Sequence, residues 1–308
     1  MSGIPFLSYR KSTGNTDCPI CSHSESVALS EWDRNFKPLV HVKCANCALL
    51  RQFPLPSDEV LEEYYKSEYR KAYQKVSKPS VRHRTKRMAE GTVRLDRVSS
   101  HLNGRGSSVL DFGCGSGEFV ELCSSRGLDA MGFEPGDAYA THAREQLKLD
   151  VIAASWQDVV LDRKFDLVTS FHVFEHLTDP IAALERMKTW ANQDGLFYIE
   201  VPNLRNGLHK GFGCLHYAHT LGFSKFSLEY LGAVAGLEVV DTYDEYDIGL
   251  LFRRGTPRDI KQIAGDARNE MVDWTLSRVH RQFWRYTFGK LLGDRTRYLK
   301  TKQLTELK

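Results

Sequence analysis

The residues best suited to chemistry lie in a glycine-rich segment, VLDFGCGSGEFV, at positions 109–120. Gly113, Gly115 and Gly117 stand at alternate positions between an apolar run typical of a strand and a stretch typical of a helix. Because glycine has no Cβ, such a turn lets a ligand approach the backbone at a helix N-terminus. Glu134 follows at the end of a second predicted strand, where its carboxylate can accept hydrogen bonds from ribose hydroxyls.

The spacing of the glycines distinguishes this segment from a dinucleotide-binding turn. The dinucleotide fingerprint reads G-x-G-x-x-G, whereas position 118 here is glutamate, and Asp111 stands two residues before the first glycine. A carboxylate at that place favours a cofactor that carries a positive charge. The motif D-x-G-x-G-x-G resembles that of the class I S-adenosylmethionine (SAM)-dependent methyltransferases.

This resemblance implies roles for the residues of the predicted cofactor site. Asp111 and the three glycines would surround the methionine and ribose portions of SAM, and Glu134 would bind the ribose diol. Ser155 and Trp156, after the third predicted strand, would border the adenine. Trp156 can stack on the adenine face or belong to the ordinary core.

A second group of candidates follows the fourth predicted strand, at the edge where open α/β sheets bind ligands. It comprises Phe171, His172, Glu175 and His176. In related methyltransferases the corresponding stretch lies beside the methionine part of SAM, so Phe171 and His172 are also expected to contact the cofactor. In a helix, His172, Glu175 and His176 would share one face and form a partial site for a second divalent metal.

Two further histidines, His216 and His219, lie in a stretch that resembles the acceptor-bordering segment of related enzymes. Either histidine could accept the proton of the acceptor as a general base. Alternatively, one of them could join the preceding cluster around a divalent ion, as in the RNA 3′-end methyltransferases with an ExxEH motif. Here His172 stands in place of the first glutamate of that motif. A third interpretation gives the Glu175–His176 pair a structural role, such as helix capping.

The N-terminal region contains two C-x2-C pairs that are separated by 22 residues, namely Cys18, Cys21, Cys44 and Cys47. Two such pairs can hold one tetrahedral zinc ion, and four thiolates leave no open position, so the predicted role is structural. His23 and His41 lie close enough in sequence to replace one cysteine. Redox-active pairs are disfavoured because no thioredoxin-like βαβ pattern surrounds them.

The order of these motifs strengthens the family resemblance. A four-cysteine module, the segment at 53–69 and the SAM motif together resemble a bacterial methyltransferase family with an N-terminal zinc-binding domain. Members are often linked to sugar or polysaccharide modification, which implies a hydroxyl of a sugar or glycan as the acceptor. The resemblance extends from residue 18 to about residue 254.

Alternating strand and helix patterns predict an α/β fold with a Rossmann-like, seven-stranded sheet, whose last two strands pair as an antiparallel hairpin. We expect a zinc-ribbon-like module at 1–55, a basic helical linker at 56–100, the SAM-binding domain at 101–257 and a basic helical extension at 258–308. In the extension, an apolar stripe is predicted at Val272, Leu276, Val279, Phe283 and Tyr286.

Composition narrows the class of protein but not the substrate. The 308 residues are 42% hydrophobic and 26% charged, with a net charge of +3, as is ordinary for a soluble globular protein. The lack of a signal-like segment and of any apolar run of 18 residues predicts a cytoplasmic location. Two alternatives remain open: methylation of RNA through the basic linker and tail, and a non-catalytic scaffold. Residues 272–300 are expected to pack on their own domain, or else on a membrane surface or a partner.

Overall fold

The structure, a computed structural model, describes residues 14–35, 37–64, 80–102, 108–209 and 214–291. Parts of the predictions lie outside these ranges: the four-cysteine module before residue 14, the basic linker between 65 and 79, and the extension after residue 291.

Eleven strands are present in the described part of the chain: β1 (Ser26–Trp32), β2 (Pro38–Cys44), β3 (Leu50–Gln52), β4 (Ser108–Phe112), β5 (Asp129–Glu134), β6 (Val151–Ala153), β7 (Phe165–Phe171), β8 (Ala191–Pro202), β9 (Leu221–Gly222), β10 (Leu237–Asp244) and β11 (Asp247–Arg254). Seven of them form the main sheet, in the order β10-β11-β8-β7-β4-β5-β6. Strands β4 to β8 pair in parallel, and β10 and β11 form the predicted antiparallel hairpin. The predicted α/β fold with a seven-stranded sheet is therefore confirmed.

The described α-helices are α1 (Asp58–Tyr64), α2 (Val81–Leu102), α3 (Glu118–Ser125), α4 (Asp137–Thr141), α5 (Pro180–Trp190), α6 (Leu204–His209), α7 (Lys225–Val234), α8 (Ile260–Glu270) and α9 (Leu276–Leu291). Local sequence explains where several of them begin. Asp179 caps α5 by accepting a hydrogen bond from the Ala182 amide at 2.9 Å, with Pro180 in the first turn. Ser224 and Ser227 form a reciprocal capping box at the start of α7.

The cysteine-bearing region and the main domain share one small sheet. This second sheet has the order β1-β2-β3-β9, and β9 comes from the segment between β8 and β10 of the main sheet. Leu50 and Arg51 pair with Gly222 and Leu221. The loop before β9 contains His216 and His219 and is called the histidine-containing loop below. The pairing of β9 anchors it to the N-terminal region, a connection that the sequence pattern did not indicate.

The C-terminal half of the predicted linker covers the main sheet. In α2, Arg94, Leu95 and Val98 are buried, and Leu95 and Val98 join a core cluster with residues of β4, α3 and β5. Apolar residues at helical spacing explain this packing, because they bury one face of an otherwise charged helix. The helix thus brings Arg94 to the interior, close to the carboxyl ends of the strands.

The C-terminal extension docks on the small sheet. Trp274 and Val279 are buried against Leu29 of β1 and Leu50 of β3. The predicted stripe is wrong at Val272, which is 65% exposed because the chain turns between α8 and α9 instead of continuing as one helix. The side chains at 283 and 286 and the chain after residue 291 lie outside the described set. None of the helices that the structure describes is long and apolar enough to span a lipid bilayer.

Candidate active site

The glycine-rich turn connects β4 to α3 at the carboxyl edge of the main sheet. Gly113, Gly115 and Gly117 have φ values of +72°, +55° and +87°, a left-handed conformation that favours glycine. A Cβ on Gly113 would lie 2.6 Å from Val173 Cγ2, and one on Gly117 would lie 2.8 Å from Leu149 Cδ1. A Cβ on Gly115 would meet no heavy atom of the described chain within 4 Å. The middle of the turn therefore faces open space that a ligand can fill.

Glu134 joins this turn to the end of β5. Its Oε2 accepts a hydrogen bond from the Gly115 amide at 3.1 Å, and its Oε1 accepts one from the Gly136 amide at 2.7 Å. Burial raises the pKa of the Glu134 carboxyl, although both amides act in the opposite direction. The carboxylate is thus held by backbone donors, and its remaining lone pairs can accept ribose hydroxyls.

Asp111 lies beneath the turn, at the end of β4. Its Oδ1 accepts a hydrogen bond from Thr169 Oγ1 at 2.8 Å, and the residue is 3% exposed. Burial raises the pKa of Asp111 to about 7. A cationic ligand near this carboxyl would stabilise its ionised form.

The other predicted cofactor residues lie at the ends of β6 and β7, at the carboxyl edge of the main sheet, and they contact different neighbours. Ser155 and Trp156 follow β6 and are half-buried, and Trp156 packs against the main core. The ring of Phe171 packs edge-on against Phe119, with 4.8 Å between ring centroids, and against Tyr198 at 5.6 Å. Phe171 therefore supports the site from the core side, while His172 lies at the surface of the cleft.

His172 follows β7 directly and has a φ of +57°, an uncommon conformation for a residue with a Cβ. Its ring lies among three carboxylates: Glu175 Oε1 is 3.6 Å from Nδ1, while Glu200 Oε1 and Asp247 Oδ2 are 3.7 and 3.5 Å from Nε2. Burial lowers the pKa of His172, but the contact with Glu175 and the charge of Asp247 outweigh burial and raise it.

Sequence reasoning missed the residues that hold Glu200, one of the three carboxylates beside the His172 ring. Arg94 donates from Nε to Glu200 Oε1 at 2.8 Å, and its Nη2 contacts the same oxygen. Tyr198 donates its hydroxyl to Glu200 Oε2 at 3.2 Å. Both members of the Arg94–Glu200 pair are less than 10% exposed. They form a buried, hydrogen-bonded ion pair next to His172. A signal was available, since Arg94 falls on the apolar face of its helix.

His176, His216 and His219 form a cluster of imidazole rings on the far side of Glu175. The ring centroids of His216 and His219 are 3.8 Å apart, and those of His176 and His219 are 4.9 Å apart. Burial lowers the pKa of His216 to about 2 and lowers that of His219 as well. Both rings are therefore weaker bases than a solvated histidine.

The predicted one-face arrangement of His172, Glu175 and His176 is wrong. Only Phe174–His176 form a short 3-10 helix, and His172 precedes it with left-handed backbone geometry. In the described chain, Glu175 and His176 group with His219, whereas His172 groups with Glu200 and Asp247. The two groups adjoin each other, because Glu175 Oε1 lies 3.6 Å from His172 Nδ1.

One buried amide of the small sheet holds the histidine-containing loop. Gln52 Nε2 donates to the carbonyl oxygens of Tyr217 at 2.8 Å, His219 at 3.0 Å and His216 at 3.4 Å. The backbone amide of Gln52 also donates to the Thr220 carbonyl at 2.9 Å. Gln52 therefore acts as a positioning residue for both predicted acceptor-side histidines.

The four cysteines of the two C-x2-C pairs converge at one point. Their Sγ atoms all lie within 4.8 Å of one another, and the Cys18–Cys47 and Cys21–Cys44 distances are both 3.5 Å. Tetrahedral zinc with Zn–S bonds of about 2.3 Å requires a sulfur–sulfur distance of about 3.8 Å. The Asn46 amide lies 3.4 Å from Cys44 Sγ, as a donor to a thiolate would. The cysteines thus fit a metal, and neither His23 nor His41 belongs to the group.

Comparisons with known proteins agree with this architecture. The ubiquinone biosynthesis O-methyltransferase of Actinobacillus pleuropneumoniae serotype 7 (strain AP76) is 31% identical over 123 residues, which cover 36% of this chain and 53% of that protein. The enzyme of the same name from Acinetobacter baylyi is 27% identical over 120 residues, which cover 36% of this chain and 50% of that protein. The chain therefore spans about half the length of the curated relatives that it matches.

A solved structure shows the same fold. Magnesium protoporphyrin IX methyltransferase from Synechocystis PCC 6803, with bound SAH, has a TM-score of 0.50 to this chain. The match covers 65% of this chain and 100% of that chain at 13% identity, so the likeness concerns the fold alone.

The family assignment rests on a longer match. Residues 80–242, just over half of the chain, match the profile of the methyltransferase domain family. This range contains α2, the glycine turn, Glu134, His172 and the loop with His216 and His219. The chain therefore belongs to the methyltransferase domain family, as its glycine motif predicted.

Proposed function

We propose that this protein transfers a methyl group from SAM to a hydroxyl oxygen of a small-molecule acceptor. The observation that carries the proposal is the Gly115–Glu134 contact: the open side of the turn and a ribose-binding carboxylate meet at the carboxyl edge of the sheet. When bound, SAM supplies an electrophilic methyl group on a sulfonium. The names of the two curated relatives support oxygen as the methylated atom.

His172 is the proposed proton acceptor, and its position supports that role. It directly follows the strand next to the glycine-bearing strand, and its ring is one quarter exposed, so an acceptor can reach it. As the acceptor oxygen forms a bond to the methyl carbon, the bond from that carbon to sulfur breaks. The hydroxyl proton passes to His172, and the products are the methyl ether and S-adenosylhomocysteine. The main demand on the protein is alignment, because the reaction is an in-line displacement.

Structural zinc in the four-cysteine cluster is the second part of the proposal. The sulfur–sulfur distances support it. Zinc there would fix β2 and β3, and through Gln52 the histidine-containing loop. A sugar or glycan acceptor is supported by the family resemblance of the sequence alone and stays a prediction.

A methyl-transfer assay tests the proposal. Zinc-loaded protein is incubated with SAM labelled in the methyl group and with a panel of phenols, sugar nucleotides, glycans and RNA. We expect label in a small hydroxyl compound, and we expect His172→Gln to lower turnover by about 10²- to 10⁴-fold without weakening SAM binding. His83→Gln, on the exposed face of α2, is the control. Undiminished turnover in His172→Gln would remove that residue from the mechanism, and label only in RNA would overturn the acceptor class.

A further inference from the structure

A second group of metal-binding residue types lies beside the proposed active site. Glu175, His176 and His219 each offer one ligand atom, and these atoms all lie within 4.8 Å of one another. Glu175 and His176 come from the stretch after β7, while His219 comes from the loop before β9. Two different segments of the chain therefore converge on one point.

The burial of Glu175 indicates that a positive charge belongs at this point. The residue is 2% exposed, and its Oε2 has no hydrogen-bond donor among the described residues. Its Oε1 is 3.6 Å from His172 and 3.8 Å from His176, beyond the range of a good hydrogen bond. A buried carboxylate without close donors is costly unless a cation compensates it.

The imidazole of His176 is oriented as a metal ligand would be. Its Nδ1 lies 2.7 Å from the Ala218 carbonyl oxygen and therefore carries the proton. The lone pair of the neutral ring is then on Nε2, the atom that faces Glu175. Backbone carbonyls fix metal-ligating histidines in this way in many proteins. The backbone of His219 is also fixed, because its carbonyl oxygen accepts a hydrogen bond from Gln52 Nε2.

A cavity of about 10 Å³, the scale of a single bound ion, adjoins this group. Glu175 and His219 line this cavity between the main domain and the small sheet, together with His41 and Cys214. His41 is 1% exposed, and its Nε2 has no hydrogen-bond partner in the described chain. Nδ1 of His216 likewise has no hydrogen-bond partner in the described chain, and the His216 ring contacts the His219 ring at a tilt of 43°. Unpartnered nitrogen and oxygen atoms thus surround the three-residue group.

We propose that Glu175, His176 and His219 bind one divalent first-row transition-metal ion. Two imidazoles and one carboxylate suit zinc, iron, manganese or cobalt, and three protein ligands leave coordination positions open. Metal–ligand bonds of about 2.1 Å require ligand atoms about 3.4 Å apart in tetrahedral geometry, so the 3.8 Å between Glu175 and His176 needs only a small contraction.

The role of this ion rests on the proposed methyl transfer. Glu175 also neighbours His172, so the ion would lie on the acceptor side of the site, one side chain away from the proton acceptor. A cation there would lower the pKa of an acceptor hydroxyl that approaches it, and would make proton transfer to His172 easier. The ion would be separate from the four-cysteine zinc, whose sulfur ligands come from other residues.

A cobalt titration tests the site directly. Protein that holds one zinc ion per chain, in the cysteine site, is titrated with Co²⁺ and followed by visible absorption. A nitrogen–oxygen site gives d–d bands without the sulfur-to-cobalt charge transfer of a thiolate site. We expect one equivalent of Co²⁺ to bind, and a loss of affinity of about tenfold or more in Glu175→Gln, His176→Asn and His219→Gln. Glu185→Gln, on the half-exposed surface of α5, is the matched control.

Two results would overturn the proposal: no binding of Co²⁺ beyond exchange into the cysteine site, or binding that all three variants retain. Circular dichroism and SAM titration on each variant separate unfolding from ligand loss, because Glu134 and the glycine turn lie outside this group. Methyl transfer that persists without the ion would overturn its catalytic role and leave the proposed methyltransferase activity standing. Failure of SAM to bind would instead contradict the proposed function, whatever the result with cobalt.

Discussion

Replacement of Gln52 by leucine tests whether the small sheet positions the histidine-containing loop. Leucine has a similar shape, so the substitution removes the amide group and leaves the packing nearly unchanged. Gln52 is 1% exposed, and its Nε2 donates two short hydrogen bonds, to Tyr217 and His219, and one longer bond to His216. The His216 carbonyl also accepts from the His219 amide at 3.0 Å, so it keeps one donor.

The expected loss of stability follows from these contacts. Two buried carbonyls each lose a donor, and each loss costs about 1–2 kcal/mol, so Gln52→Leu should lower the free energy of unfolding by about 2–4 kcal/mol. For a chain of 308 residues, that corresponds to a decrease in melting temperature of roughly 3–6 °C. Amide hydrogen exchange of residues 214–223 should become faster, because the loop is released from β3.

Two measurements check this prediction. Thermal unfolding and hydrogen-exchange mass spectrometry are compared between wild type, Gln52→Leu and the control Gln262→Leu, which changes an exposed glutamine of α8. SAM affinity should be the same in all three proteins, because Gln52 lies outside the cofactor cleft. Unchanged exchange of the loop, or a loss of stability no greater than that of the control, would refute the positioning role.

Two further predictions concern the cysteine cluster and Asp111. Cys21→Ser should abolish binding of the structural zinc ion, as measured by native mass spectrometry. It should also lower the melting temperature, because the metal stabilises a region with little core of its own. The control Cys214→Ser should keep the zinc. Since the pKa of Asp111 is raised to about 7, SAM binding below that pH must release a proton, and affinity should fall by about tenfold per pH unit below pH 7 and level off above it. Asp111→Asn should remove this pH dependence in titration calorimetry; a slope that persists would assign it to another group.

Local sequence sufficed for the features that depend on neighbouring residues. The glycine turn, the strand that ends at Glu134 and the terminal hairpin all follow from turn chemistry and apolar periodicity over short stretches. The cysteine cluster follows from spacing alone, because each C-x2-C pair forms half of the group. In each case the residues that determine the structure lie within about 30 positions of one another in the chain.

The residues that sequence reasoning missed act over long sequence separations. Arg94 meets Glu200 across 106 positions, and Gln52 meets the histidine-containing loop across about 165. The position of Arg94 on the apolar face of its helix indicates that it is buried, but no periodicity or motif indicates the partner of either residue. The split of the acidic and histidine residues into two adjoining groups involves residues far apart in the chain, which spacing cannot show. Folding therefore decided which of the predicted site residues act together.

The central claim, that the glycine turn and Glu134 bind SAM, is tested most directly by titration calorimetry of SAM into wild type and Glu134→Ala. Glu134 accepts hydrogen bonds from the amides of Gly115 and Gly136, so the substitution removes both the proposed ribose-binding carboxylate and the support of the turn. We predict one-to-one saturable binding to wild type and at least about tenfold weaker binding to Glu134→Ala, since about 1.4 kcal/mol of lost interaction suffices. No binding to wild type, or equal affinity for both proteins, would contradict the account.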